Sequence, residues 1–238
     1  MRKDITENKI QSWFNREYQR RGVRSMRPSR AYDQFIELLQ VKSGRRLLDI
    51  GCGPGQVLQT AVKSGLSTIG VDLSIEALKL AKYISPKSGL ILTSAGNLPF
   101  PDQYFDYITL IGVLEHFTEM EKSILEIQRV AKNDALFCIM VPNSRTLYWQ
   151  ILEKFHYGDN QGNENAYPLN YWKDLFIENN FRILDLKRDK WRMKKISGIL
   201  QRNGSFSSGM QKLIEKIIPI QFAHQFIFLL TKAPAAGK

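Results

Sequence analysis

The chain has 238 residues, with 34 Lys and Arg against 23 Asp and Glu for a formal charge of +11, 43% hydrophobic residues and 24% charged ones. Such a size and balance exclude a disordered or fibrous chain and suit one domain with extensions better than two full domains. Two cysteines exclude a disulfide framework, and the polar opening MRKDITENKI lacks the apolar stretch of a secretory signal, so a cytoplasmic protein is expected.

Ile10, Trp13, Phe14 and Tyr18 recur at helical spacing, and after Pro28 so do Tyr32, Phe35, Ile36, Leu38 and Leu39. Residues 1–44 therefore read as a helical extension and 45–238 as the main domain. From Arg45 short apolar runs alternate with amphipathic helices, the pattern of a parallel sheet covered on both faces. The expected strands are Leu47–Ile50, Thr68–Val71, Leu90–Thr93, Tyr107–Ile111 and Leu136–Val141. Lys132-Asn133-Asp134-Ala135 is expected to be a turn before the fifth.

The helices between these strands carry Val57, Leu58, Ala61 and Val62, then Ala77, Leu78 and Ala81, then Ile124, Leu125, Ile127 and Val130. Regularity is lost over residues 144–170 and again over 191–220, both read as insertions that cover a substrate. Between and after them come a helix at Tyr171–Asn179, a strand at Phe181–Leu186, a helix near Leu213–Ile217 and a strand at Phe226–Leu230. The fold class is a doubly wound, mostly parallel α/β sheet. Pro219, Gln221, His224 and Gln225 interrupt the greasiest stretch, which is shorter than the roughly 20 apolar residues of a spanning helix, so no transmembrane segment is expected.

The segment Leu47-Leu48-Asp49-Ile50-Gly51-Cys52-Gly53-Pro54-Gly55-Gln56 runs from a buried strand through a glycine-rich turn into a helix. Glycines there let a ligand approach the main chain, at the strand end where open α/β sheets bind ligands. Gln56 stands where a dinucleotide fingerprint has Gly or Ala, and the Gly-Lys-Ser/Thr of a phosphate-binding loop is absent. Asp72 ends the second strand about twenty residues after the first glycine, the spacing at which a carboxylate reaches ribose hydroxyls. A nucleoside ligand is implied. The plain alternative is a structural turn followed by a helix-start Asp.

Taken in order, LLDIGCGPGQ, VDLS, NLPFPDQYFDYI, VLEHF and QRVAK resemble the class I methyltransferase family, continuously over residues 45–143 and more weakly over 171–185. The resemblance implies a Rossmann-like methyltransferase fold, seven-stranded with an antiparallel last strand, that uses S-adenosyl-L-methionine. It places Gly51, Cys52, Gly53 and Gly55 at the methionine and ribose part and Asp72 on the ribose. Leu73, Asn97 and Leu98 would border the adenine, Asp49 would fix the turn or the ammonium group, and Ile111 would complete the cofactor set. Ser94 replaces an acidic residue common in the family, and its hydroxyl can still accept a hydrogen bond from the adenine amino group.

His116, beyond the fourth strand, is the candidate general base, with loop orientation as its alternative role. Tyr148, Trp149, His156, Tyr157 and Tyr167 are candidate acceptor-pocket residues, His224 is read as packing, and no spacing suits a metal. Cys52 reads as a small residue beside the ligand and Cys138 as core. Much of the basic excess lies in two groups, Arg16, Arg20, Arg21, Arg24, Arg27 and Arg30, then Lys187, Arg188, Lys190, Arg192, Lys194 and Lys195. They are either solvated surface or a contact for an anionic or lipid-like acceptor, including a peripheral membrane surface. The favoured acceptor is a small molecule methylated on oxygen, resembling quinone-precursor or sugar substrates. The alternatives are RNA, which salt-sensitive binding would reveal, and a noncatalytic S-adenosylmethionine-binding protein.

Overall fold

The computed structural model describes residues 6–25, 27–146, 165–189 and 219–234. Helices α1 (Glu7–Arg21) and α2 (Asp33–Leu39) precede β1 (Arg46–Ile50), α3 (Gln56–Lys63), β2 (Ser67–Asp72), α4 (Ile75–Ile84) and β3 (Gly89–Leu92). Then come β4 (Phe105–Ile111), α5 (Met120–Val130), β5 (Ala131–Pro142), α6 (Leu169–Glu178), β6 (Phe181–Arg188) and β7 (Gln225–Lys232). Tyr148, Trp149, His156, Tyr157, Lys190, Arg192, Lys194, Lys195 and the expected helix near Leu213–Ile217 lie outside the described residues.

The sheet order is β3-β2-β1-β4-β5-β7-β6. Strands β1 to β5 pair in parallel, and β7 runs antiparallel between β5 and β6. Side chains alternate across the pleat, so neighbouring residues of one strand feed different cores. Leu48, Ile50, Ile108 and Leu110 pack with Ile124 and Ile127 of α5 and Trp172 and Phe176 of α6. Leu47 and Tyr107 turn the other way, to Phe35 and Leu39 of α2 and Leu58 and Ala61 of α3. Burial on both faces is why these strands read as unbroken apolar runs. The helix α2 is thus part of the core, with Phe35 and Leu39 wholly buried.

The expected turn at Lys132–Ala135 is instead an irregular part of β5. Pairing jumps from Phe105↔Ala131 to Tyr107↔Leu136, so the extra residues bulge out without ending the strand. Lys132 uses the excursion to reach Asp106, which also accepts from Arg45 and from the Arg46 N–H. At the other end of β5, buried Asn143 donates to the carbonyls of Gln221 and Ala223, and Trp172 donates to that of Pro142. His224 accepts the Asn143 N–H through its backbone carbonyl.

One ion pair ties the chain before α2 to the far side of the sheet. Arg27 lies 3.0 Å from the carboxylate of Asp189, which also accepts from Gln34, and donates to Gln225 at the start of β7. Asp189 is 3% exposed. Truncating one partner strands the other charge in a poorly solvated place, so Arg27→Ala is expected to cost about 3–5 kcal/mol. Urea denaturation checks this, and a loss under about 1 kcal/mol would mean that the pair does not hold the segment down.

Candidate functional site

The order of strands reverses beside β1, and ligands of open α/β sheets settle at the carboxyl ends of strands flanking such a reversal. A cavity of about 270 Å³ opens there. The turn after β1, the ends of β2 and β4, the loop after β3 and the face of α1 enclose it.

The turn is made by backbone geometry. Gly51 and Gly53 adopt φ of +63° and +50°, and a Cβ on Gly51 would fall 2.4 Å from a Val113 methyl. A Cβ on Gly53 would lie 3.0 Å from the Tyr18 hydroxyl. Residues with side chains would fill the floor of the cavity and strain the loop. Gly55 ends the turn facing Ala81 of α4, and so packs α3 against α4 outside the cavity lining.

Two carboxylates, Asp49 buried and Asp72 half-buried, support this floor. Asp72 accepts the Gly53 N–H on one oxygen and the Ser74 N–H on the other, each at 2.8 Å, and so joins the glycine turn to the loop after β2. Asp49 accepts the Thr109 hydroxyl at 2.6 Å from the neighbouring strand. Burial, partly offset by these hydrogen bonds, raises Asp72 from the ordinary carboxylate value of 3.8 to about 6. Burial, reinforced by the charge of Asp72, raises Asp49 to about 7. Both therefore ionise near neutrality, where a cationic ligand would favour the charged forms.

Of the sequence-expected residues, Asp49, Gly51, Cys52, Gly53, Asp72, Leu73, Ser94, Ile111 and His116 line the cavity together. Asn97 and Leu98 lie outside the lining. Asn97 is exposed and its N–H and C=O close a tight turn with Ser94 and Thr93. Leu98 is buried in the core, its N–H donating to Glu126 and its carbonyl accepting from Arg129. Arg129 also donates to the Phe100 carbonyl, so QRVAK braces NLPFPD from beneath. Cys52 is buried beside Gly70, and burial pushes its thiol well up, which suits a filler rather than a nucleophile. Tyr167 stacks on Tyr171 at 3.8 Å and stands outside the lining.

Sequence reading missed the roof. Glu7, Ile10, Phe14 and Tyr18 of α1 and Tyr32 beyond it all line the cavity. The apolar stripe was visible, but a stripe facing a cavity is patterned like one facing a core. Phe14 meets the His116 ring edge-on at 5.3 Å, which fixes the imidazole plane at the cavity wall. The first basic group is also partly committed elsewhere, because Arg20 and Arg21 pair with Glu17 and Arg27 with Asp189.

A family profile described as a methyltransferase domain matches residues 48–139. Over those residues the chain is similar to a methyltransferase domain. The demethylmenaquinone methyltransferase of Paenarthrobacter aurescens is 31% identical over 137 residues, covering 55% of this chain and 54% of that one. The crystal structure of the YcgJ protein from Bacillus subtilis shares the fold, with a TM-score of 0.59 and 19% identity over 87% of this chain and 100% of that one. So does phospholethanolamine N-methyltransferase 2 of Haemonchus contortus, solved with phosphomonomethylethanolamine and S-adenosylhomocysteine, with a TM-score of 0.66, 20% identity, and 96% and 61% of the two chains covered. The chain spans about half the length of the first curated relatives it matches. Among the described residues no helix is long and apolar enough to cross a membrane and no cluster of His, Cys, Asp and Glu could hold a metal.

The raised carboxylates give a signed pH dependence. A carboxyl whose folded value lies above its unfolded one contributes stability at acid pH that is lost as pH rises through the folded value, here about 7 for Asp49. Ligand-free protein is expected to lose on the order of a few kcal/mol between pH 5 and 8, and Asp49→Asn to remove much of that loss. Parallel melting profiles of the two proteins across this range would contradict the assignment.

Proposed function

We propose that this chain is an S-adenosylmethionine-dependent methyltransferase whose acceptor is a small molecule. The observation that carries the reading is the pairing of a side-chain-free turn with two carboxylates, one buried and one half-buried, inside one roofed cavity. This arrangement fits the donor. Gly51 and Gly53 leave the main chain bare for the methionine part, Asp49 supplies a buried negative charge for its ammonium group, and Asp72 faces the ribose. Leu73, Ser94, Ala95 and Ile111 would flank the base. When bound, S-adenosylmethionine supplies a methyl group made electrophilic by the sulfonium to which it is attached.

The chain's own contribution to such a transfer is alignment and the exclusion of water, which Phe14, Tyr18 and Phe117 provide from the cavity walls. His116 faces the cavity and is the residue we assign to take a proton from an acceptor hydroxyl. An oxygen acceptor of phenolic, quinone-precursor or sugar-like type is the reading we favour; the demethylmenaquinone methyltransferase relative supports a quinone-type acceptor, and this imidazole supports oxygen as the atom. The enclosed cavity suits a small acceptor better than a polymer, and a cytoplasmic location suits the donor supply.

The test is incubation of the full chain with methyl-labelled donor and a panel of phenols, quinone precursors, sugars, small amines and RNA. Label on a hydroxyl compound is expected. Label on RNA alone would defeat the small-molecule assignment, and label confined to amines would defeat the oxygen preference. Calorimetry with S-adenosylmethionine is expected to show affinity falling from pH 8 to pH 5.5, since protonating Asp49 removes the charge facing the ammonium group and protonating Asp72 weakens the acceptor facing the ribose hydroxyls. Affinity independent of pH would refute their role. His116→Ala is expected to lower kcat by about 10²-fold or more with donor affinity near normal, and an unchanged kcat would remove it from catalysis.

A further inference from the structure

Asp49 stands in a row of residues that crosses the sheet from strand to strand. Gly70 of β2, Asp49 of β1, Thr109 of β4, Cys138 of β5 and Leu229 of β7 lie opposite one another in register and so share one face. That face is apolar. Cys138 and Leu229, with Leu47 and Tyr107 two residues back along β1 and β4, belong to the core shared with α2 and α3. Gly70 brings no side chain, and a Cβ there would strike Leu58 at 2.6 Å and the Cys52 sulfur at 2.8 Å. Thr109 is fully buried, and among the described residues its hydroxyl makes the one hydrogen bond to the Asp49 carboxylate, at 2.6 Å. The same hydroxyl lies 3.5 Å from the Leu48 carbonyl. Along the chain Thr109 is one more β-branched strand residue, and only the pairing of β4 with β1 gives it this partner.

We propose that Thr109 is a positioning residue for donor binding, a swivelling hydroxyl that sets the charge state of Asp49. The inference rests on the donor reading above. A hydroxyl has one proton to give and lone pairs with which to receive another. Toward a charged Asp49 it donates, which favours the form that an ammonium group needs. Toward a protonated Asp49 it accepts, and its own proton turns to the Leu48 carbonyl. Neither state leaves a buried polar atom bare, which is the costly outcome. The titratable groups that face Asp49 from other elements cannot take this part. Asp72 at the end of β2 opposes its ionisation. Burial keeps the thiols of Cys52 in the turn and Cys138 in β5, and the Tyr32 phenol ahead of α2, protonated across neutral pH.

The role is tested by removing the hydroxyl and keeping the shape. Calorimetry with S-adenosylhomocysteine, which carries the same ammonium group as the donor, compares Thr109→Val with wild type from pH 5.5 to 8.5. The variant is expected to bind about tenfold more weakly at pH 6, the effect of one lost charge-assisted hydrogen bond, and to approach wild type by pH 8.5, where Asp49 is ionised in both. Titration of the ligand's own amine is common to the two proteins and cancels in the ratio. Thr109→Ser restores the hydroxyl and is expected to restore the wild-type profile. A packing defect is blind to pH, so an affinity loss equal at every pH, or no loss, would overturn the proposal. Ligand-free protein gives a second readout. Raising the folded value of Asp49 further widens the range over which its acid-side stability is lost, so in Thr109→Val that loss is expected to continue about one pH unit higher than in wild type. Thr109→Ala serves the same comparison if the Val protein does not fold, and stability profiles of the same shape in variant and wild type would defeat the assignment. Failure of wild-type protein to bind S-adenosylhomocysteine at any pH would overturn the donor reading first, and the ligand-free profiles would still decide whether Thr109 governs Asp49.

Discussion

The site depends on how one half-buried carboxylate is shared between two loops. Asp72 sits at the end of β2 with both oxygens occupied by backbone N–H groups, one from the glycine turn after β1 and one from the start of α4. A carboxylate taken out of water is costly unless such donors surround it, and the charge-assisted bonds it then makes are among the stronger ones available. Two loops that would otherwise move independently become one rigid edge. The position of the cavity floor follows from that junction.

Around this edge the protein is divided by function. The sheet and its two cores supply rigidity, because the alternating residues of β1 and β4 lock into helices on opposite faces. The carboxyl ends of the same strands carry polar groups that a core would not tolerate without partners, and Asp49 is kept there by the Thr109 hydroxyl. Burial raises both acids above the ordinary carboxylate value, so a cation beside them would favour their charged forms. Helix α1 closes the arrangement from outside the matched segment 48–139, so that segment by itself would lack part of the cavity wall.

The legible part of the site was local in the chain. Gly51, Gly53 and Asp72 announced themselves through a strand-turn-helix pattern and a twenty-residue spacing, and the structure brings them together at one cavity. The role of Asp72 as the tie between two loops was not legible, since a sequence spacing does not say which atoms a carboxylate engages. Leu98 and Asn97 lay close to the expected adenine edge along the chain, yet Glu126 and Arg129 draw Leu98 into the core and leave Asn97 in solvent. Arg27 read as one of a cationic run, whereas its partner Asp189 stands more than 160 residues away.

What the sequence by itself determined was the alternation of buried strands and one-sided helices, the turn chemistry after β1 and hence the fold class, because hydrophobic period and glycine placement act within a few residues. What only the tertiary structure decided was the roof, the staple at Arg27 and the shared carboxylate at Asp72. Each of these joins residues distant in the chain, and their free energy comes from desolvation and geometry that exist only once the sheet has brought them together.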